Sequence, residues 1–443
     1  LTAWLLKEAG VESVVLEAQR LGSGQTRNTT AKITSQHGLI YDKLTRRFGA
    51  EQAGQYARVN QRAIAEYRRI VRELAIDCAL EERAAYLYST LDEDALRAEA
   101  HAARALGLNA QFTAQTALPF PVKGAVRFEE QAQFHPLRFL AAVAEQVTVY
   151  EQTLVLRVDG GRVETDRGTV RARHVVFACH FPFVNAPGYY FARMHQERSY
   201  VLALKNAPQL DGMYYGVDPE GLSFRNAGEY LLLGGGNHRT GENSAGGRYE
   251  LLRQAARRCY PDSREAAHWS AQDCIPLDGV PYIGVYAPSV PNWYVATGFQ
   301  KWGMTSSMAA AMLISARITG REDPDGAVFS PRRFKLPAAG ANLLEDGKQT
   351  VKGLSRQLFT SGRAELEALP SGHGGVVELD GEKVGAYRDE TGELFLVSTR
   401  CPHLGCQLEW NPDEKSWECP CHGSRFDHRG RLLEGPAQTH LTE

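Results

Sequence analysis

Long apolar runs are missing from this chain of 443 residues. No stretch reaches the ~18–20 apolar residues that a transmembrane helix needs, so no membrane span is expected. Net charge is almost absent too: 50 Lys and Arg face 52 Asp and Glu, a formal charge of −2. That balance gives no electrostatic basis for a nucleic-acid partner or an anionic membrane. Pairs such as Arg68-Arg69 and Arg257-Arg258 read as solvated helix faces. Cysteine is scarce, at eight residues. Four of these (Cys78, Cys179, Cys259, Cys274) are scattered, as buried small hydrophobes would be. Hydrophobic content of 43% and charged content of 23% are ordinary for a globular protein, and the length suits two or three domains. A cytoplasmic location is expected.

The other four cysteines cluster near the end. Cys401-Pro402-His403 and Cys419-Pro420-Cys421-His422 are separated by fifteen residues. Two thiolates and two imidazoles in this order suit a [2Fe–2S] centre in which two His replace two Cys on one iron. Tetrahedral zinc is the competing reading of such pairs; the Pro-His-Leu-Gly and Cys-His-Gly-Ser contexts weigh against it. Upstream, residues 374–399 alternate apolar and polar positions between Asp-Gly and Thr-Gly turn signals, as short antiparallel strands do.

CPHLGC, then ECPCHGSRFD and GRLLEGPA, resembles a Rieske domain over residues 363–443. The resemblance implies that Cys401 and Cys419 hold the inner iron and His403 and His422 the outer one. It also implies a Cys406–Cys421 disulfide joining the two cluster loops, as in the cytochrome bc type. Such a bond is unusual in a reducing compartment, so the fold must shield it. Ser424 stands where that type places a donor to a cluster sulfide, which raises the potential. Phe426 replaces a second, tyrosine donor, so an intermediate potential is expected.

The front of the chain has a different character. Leu1–Gly10 reads as an amphipathic helix with a Gly stop, and Val14-Val15-Leu16-Glu17 as a buried strand ending in an acid. Helix, strand and terminal Glu form the second half of a nucleotide-binding βαβ unit, in which the carboxylate meets a ribose. The Gly-rich phosphate loop of such a unit is expected before Leu1. Gly22–Thr34 is rich in small and hydroxyl residues that bring N–H groups near a pyrophosphate.

This segment resembles the second flavin loop of the FAD-dependent amino-acid oxidase superfamily. Further phrases follow in the family's order: Phe134-His135-Pro136, Val147–Tyr150, Val175–His180, Pro276–Gly284 and Tyr294–Thr305. The resemblance covers about residues 1–330. It implies a Rossmann-like FAD-binding domain interleaved with an antiparallel-sheet substrate domain (1–324), a connection with a short helix (325–362) and an all-β Rieske domain (363–443). The implied FAD contacts are Glu17, Thr26, Thr30, Ala31, Lys32, Val149, Ala178, Gly298, Trp302, Gly303, Met304 and Thr305. Gln36, His37, Arg225, His238 and Lys301 are the substrate-side candidates, with Arg225 as a bidentate carboxylate clamp. Cys274 lies too close to Asp278 for the family's covalent attachment, so non-covalent FAD is expected.

The expected activity is dehydrogenation of a small amine or amino-acid-like substrate by hydride transfer to FAD. Single electrons then pass through the cluster to an external acceptor; homo-oligomerisation stays open. The alternative is a module fed by NAD(P)H that serves a separate enzyme, for which no second dinucleotide site is evident. A Rieske oxygenase would need a mononuclear iron, and His174, His180 and Arg171 offer no matching carboxylate. A redox sensor would leave the flavin domain without a purpose.

Overall fold

The computed structural model describes residues 1–333, 366–379 and 381–442. The opening helix, Thr2–Glu8, leads into the strand Val14–Leu16, which pairs in parallel with Thr148–Tyr150. A second small sheet sets Val175–Phe177 parallel to Trp293–Thr297, with Tyr282–Val285 antiparallel on its far side. Two helices pack together in this layer. Ala50–Glu73 buries Ala53, Tyr56, Asn60, Ala63, Tyr67 and Ile70, the three-to-four spacing of one helix face. Gly303–Ile318 is rich in small residues and buries Met308, Ala309, Ala311 and Ile314, so its backbone lies close to its neighbours.

The second layer is a nine-stranded sheet. Its path runs Arg264–Pro276, Met194–Lys205, Tyr230–Arg239, Ser223–Ala227, Gly212–Gly216, Glu81–Ser89, Gly124–Gln133 and Lys32–Ile33, with Ala110–Thr113 paired to Gly124–Gln133. All neighbours are antiparallel except Gly212–Gly216 and Glu81–Ser89. Strands of the two layers alternate along the chain, as the interleaved architecture requires. The expected connection from 325 begins differently: Pro324–Phe329 and Pro331–Arg333 are 3-10 turns packed on the front layer. Phe329 stacks on Tyr56, and Arg333 pairs with Asp278 at 2.9 Å. The remainder of that connection, 334–362, lies outside the described residues.

The last described stretch is all β. Gly374–Leu379, Glu382–Arg388 and Leu394–Ser398 form one antiparallel sheet; Glu409–Asn411, Ser416–Glu418, Arg425–Asp427 and Leu432–Glu434 form another. Trp417, Trp410, Phe426 and Tyr387 fill the core between them. A Cβ at Gly385 would stand 2.8 Å from the Trp417 ring, so glycine is required there by packing.

This β domain sits on the large sheet. Arg198 is buried and meets Glu414 at 2.9 Å, Glu434 at 3.6 Å and Glu418 at 3.8 Å; Arg425 neutralises the same three acids from within the β domain. Asn243 donates to Asn411 and Asp413, and Gly241 N–H donates to Glu418. Among the described residues no helix is long and apolar enough to cross a membrane.

Candidate functional sites: a flavin-sized cavity and a cysteine–histidine cage

A cavity of about 2950 Å3 lies between the two front layers. That is several times the ~300–1,000 Å3 of ordinary small-molecule sites, and gives room for an extended dinucleotide and a substrate together. Its wall includes Glu17, the Gly22–Thr30 loop, Lys32, Ala178, and Trp302, Gly303 and Met304 at the start of the last long helix. A helix start presents unpaired N–H groups and a positive dipole end to whatever occupies this wall. Nothing stands within 4 Å of a Cβ built on Gly303 or Gly24, so both backbones face open space. Lys32 adds a cation. Burial, helped by nearby Arg225, lowers its pKa to about 7, a cost that an anionic group beside it would reverse. The donor set therefore fits FAD.

Four of the expected FAD contacts lie behind this wall. Ala31 is fully buried at φ 53°, and Val149 pairs with Val15. Gly298 takes φ 74° with Met194 and Pro276 at its back. Thr305 Oγ1 accepts from Thr34 N and donates to Thr34 O, pinning the helix start to the flavin loop. These four shape the wall rather than face the cavity.

Of the substrate-side candidates, Lys301 lines the cavity and pairs with Asp273 at 3.2 Å. Burial works against its ammonium, but Asp273, Tyr215 and Glu197 together raise its pKa above the usual lysine value. It stays protonated, so it suits anchoring rather than proton abstraction. The other four candidates are placed elsewhere. His37 is wedged between the Tyr56 hydroxyl and the Thr34 carbonyl, both at 2.6 Å, and stacks behind Trp302. Burial lowers its pKa to about 3. Gln36 is buried with its amide nitrogen unpartnered, away from the cavity wall. Arg225 is not a free clamp: its guanidinium donates to Gln133, to the Phe134 carbonyl and to the Thr30 carbonyl of the flavin loop. His238 contacts Tyr200 and the Arg239 carbonyl. Alternation along a strand places neighbouring Asn237, and not His238, at the cavity.

His180, the last residue of the phrase Val175–His180, also lines the cavity, as do Asp273 and Tyr215, which no local pattern in the sequence marks. Cys179 faces into the cavity instead of the core and Cys259 is half-buried, whereas Cys78 and Cys274 are buried as expected.

The cysteine–histidine cage lies in the β domain. Two tight turns carry it; the N–H of Gly405 reaches the Cys401 carbonyl and that of Gly423 the Cys419 carbonyl. The Cys401 and Cys419 thiols lie close enough to influence each other. The His403 and His422 rings lie 4.9 Å apart, edge to face. His403 Nδ1 is buried without a hydrogen-bond partner, while its Nε2 lies 2.8 Å from Asn185 Oδ1. A buried lone pair with no donor, beside two thiols and a second imidazole, fits the chemistry of a metal centre. The four expected ligands thus come together, and the Cys406–Cys421 disulfide closes the two turns beside them. The Ser424 hydroxyl accepts from Ala437 N at 3.0 Å and lies beside the Cys401 thiol.

A family model described as FAD dependent oxidoreductase matches residues 1–317, and a Rieske [2Fe-2S] domain model matches residues 363–443. The chain is 39% identical to the putative Rieske 2Fe-2S iron-sulfur protein YhfW of Bacillus subtilis (strain 168), over 98% of this chain and 89% of that one. It is also 47% identical to cytochrome b6-f complex iron-sulfur subunit 2 of Trichormus variabilis (strain ATCC 29413 / PCC 7937), over 26% of this chain and 65% of that protein. Among solved structures, glycine oxidase from Geobacillus kaustophilus superposes with a TM-score of 0.62 at 20% identity, over 75% of this chain and 95% of that one. L-proline dehydrogenase from P. horikoshii gives 0.62 at 16% identity, over 75% and 94%. At these identities the structural likeness concerns the fold.

Proposed function

Because the chain belongs to the FAD-dependent oxidoreductase family and ends in a Rieske [2Fe-2S] domain, we propose that it dehydrogenates an amine or amino-acid-like substrate and passes the electrons singly to an external acceptor. When bound, FAD accepts a hydride from the substrate, and the cluster carries one electron at a time. The observation that carries this reading is a shared wall. Leu432–His440 of the Rieske domain line the same cavity as the flavin loop, Asp273 and Lys301. A substrate site and an electron carrier are thus built around one space.

The protein's own groups supply binding and exclusion. Lys301, held charged by Asp273, anchors an electron-rich group of the substrate. Asp273 offers a carboxylate to an amine. Burial lowers the pKa of His180 against the opposing pull of Glu434 and Asp273, which leaves a neutral imidazole in the cavity wall. His37 holds Trp302 from behind. The Rieske domain lines the cavity's flank. The names of the solved neighbours, a glycine oxidase and an L-proline dehydrogenase, support the amine-type substrate.

The test is anaerobic mixing of the holoprotein with a panel of N-methylated amines and amino acids, followed by visible absorbance. Flavin bleaching followed by loss of the oxidised-cluster bands is the expected result. Reduction by NADH or NADPH alone would replace this reading with that of a reductase module.

A further inference from the structure

We propose that Gln196 and Gln272 join the flavin cavity to the cluster loop within a single chain, so that each flavin reduces its own cluster. The inference rests on the function proposed above and concerns its route. Gln272 lines the cavity, and its backbone N–H donates to Gln25 Oε1 of the flavin loop at 2.8 Å. Its side-chain amide donates to the carbonyl of Gly423, next to the ligand His422, at 2.8 Å. The same amide donates to Gln196 Oε1 at 2.7 Å. Gln196 in turn donates to the carbonyl of His422 at 2.6 Å. Both glutamines are almost wholly buried, at 1% and 0% exposure, so these bonds lie in a medium that strengthens them.

The contact has no room to slip. A Cβ at Gly423 would stand 2.6 Å from the Gln196 Cβ, and one at Gly241, from the other side, 2.6 Å from the Pro420 nitrogen. Both glycines have positive φ, 79° each. Glycine on each face lets two backbones approach closely. The outer-iron ligands are capped by the same front unit. Phe191 meets the His422 and His403 rings edge-on at 5.6 and 6.3 Å.

The step moves one electron from reduced flavin to the oxidised cluster, where one ferric iron becomes ferrous. No bond in the protein forms or breaks. It repeats once the external acceptor has reoxidised the cluster.

The experiment is one-electron photoreduction of the anaerobic holoprotein with 5-deazaflavin, following flavin and cluster absorbance. Wild-type transfer is expected to keep its rate on tenfold dilution. Gln196→Asn retracts the amide by one methylene and is expected to slow transfer about tenfold, with the cluster's paramagnetic resonance spectrum unchanged. Gly241→Ala, which wedges against Pro420 without touching a ligand or either glutamine, is expected to do the same, and it stands in if Gln196→Asn fails to load. In the unreduced protein both variants are expected to raise amide hydrogen exchange across residues 419–424. Transfer at the wild-type rate in these variants, or a rate that rises with protein concentration, overturns the intrachain route and leaves the proposed function intact. No transfer in wild type overturns the proposed function itself.

Discussion

His403 Nε2 lies 2.8 Å from Asn185 Oδ1, so the imidazole that we propose as a cluster ligand is held by a side chain of the flavin domain. Nε2 carries the proton it donates, and Nδ1 keeps its lone pair for iron. An acceptor on Nε2 makes the imidazole more electron-rich and favours the oxidised cluster. Asn185→Ala is therefore expected to raise the cluster potential and weaken cluster retention about 10–100-fold. A redox titration followed by paramagnetic resonance checks the first, and iron content after gel filtration the second.

Ser424 is expected to act with the opposite sign. Its hydroxyl lies beside the Cys401 sulfur, and donation to a sulfur there would stabilise the electron-rich reduced cluster. Ser424→Ala is expected to lower the potential in the same titration. An unchanged potential would mean that the hydroxyl serves Ala437 N and not the sulfur.

Arg198 is a flavin-domain cation in a buried set that shares Glu414, Glu418 and Glu434 with Arg425. Arg198→Met leaves three acids to one guanidinium. Breaking such a set costs about 3–5 kcal/mol. Calorimetry is expected to show the Rieske domain melting apart from the front unit, with the wild type melting as one.

His37 makes stability depend on pH. Its folded pKa of about 3 lies below the ordinary value of 6.5. Between these values the unfolded chain binds a proton that the folded chain does not. Stability is therefore lost as pH falls from about 6.5 towards 3, at up to about 1.4 kcal/mol per pH unit. His37→Asn is expected to flatten that slope in urea titrations. An unchanged slope would assign the acid sensitivity to other groups.

Local pattern was enough for much of this protein. The spacing of Cys401, His403, Cys419 and His422 marked the cage, because iron–sulfur ligands come from two short turns whose geometry is set within each turn. Small and hydroxyl residues from Gly22 to Thr30, and the helix start at Gly303, marked part of the cavity wall for the same reason. The substrate side was less legible. Arg225 and His238 lie on strands that wall the cavity, yet strand alternation and neighbouring polar groups turn both away from it. Lys301 faces the cavity because Asp273, distant in sequence, pairs with it. Tertiary structure alone decided how the two units meet. Gln196, Gln272, Arg198 and Asn185 lie more than a hundred residues from their partners in the Rieske domain. Packing the domain on the sheet creates the buried surroundings in which those contacts form, and no local period or motif encodes them.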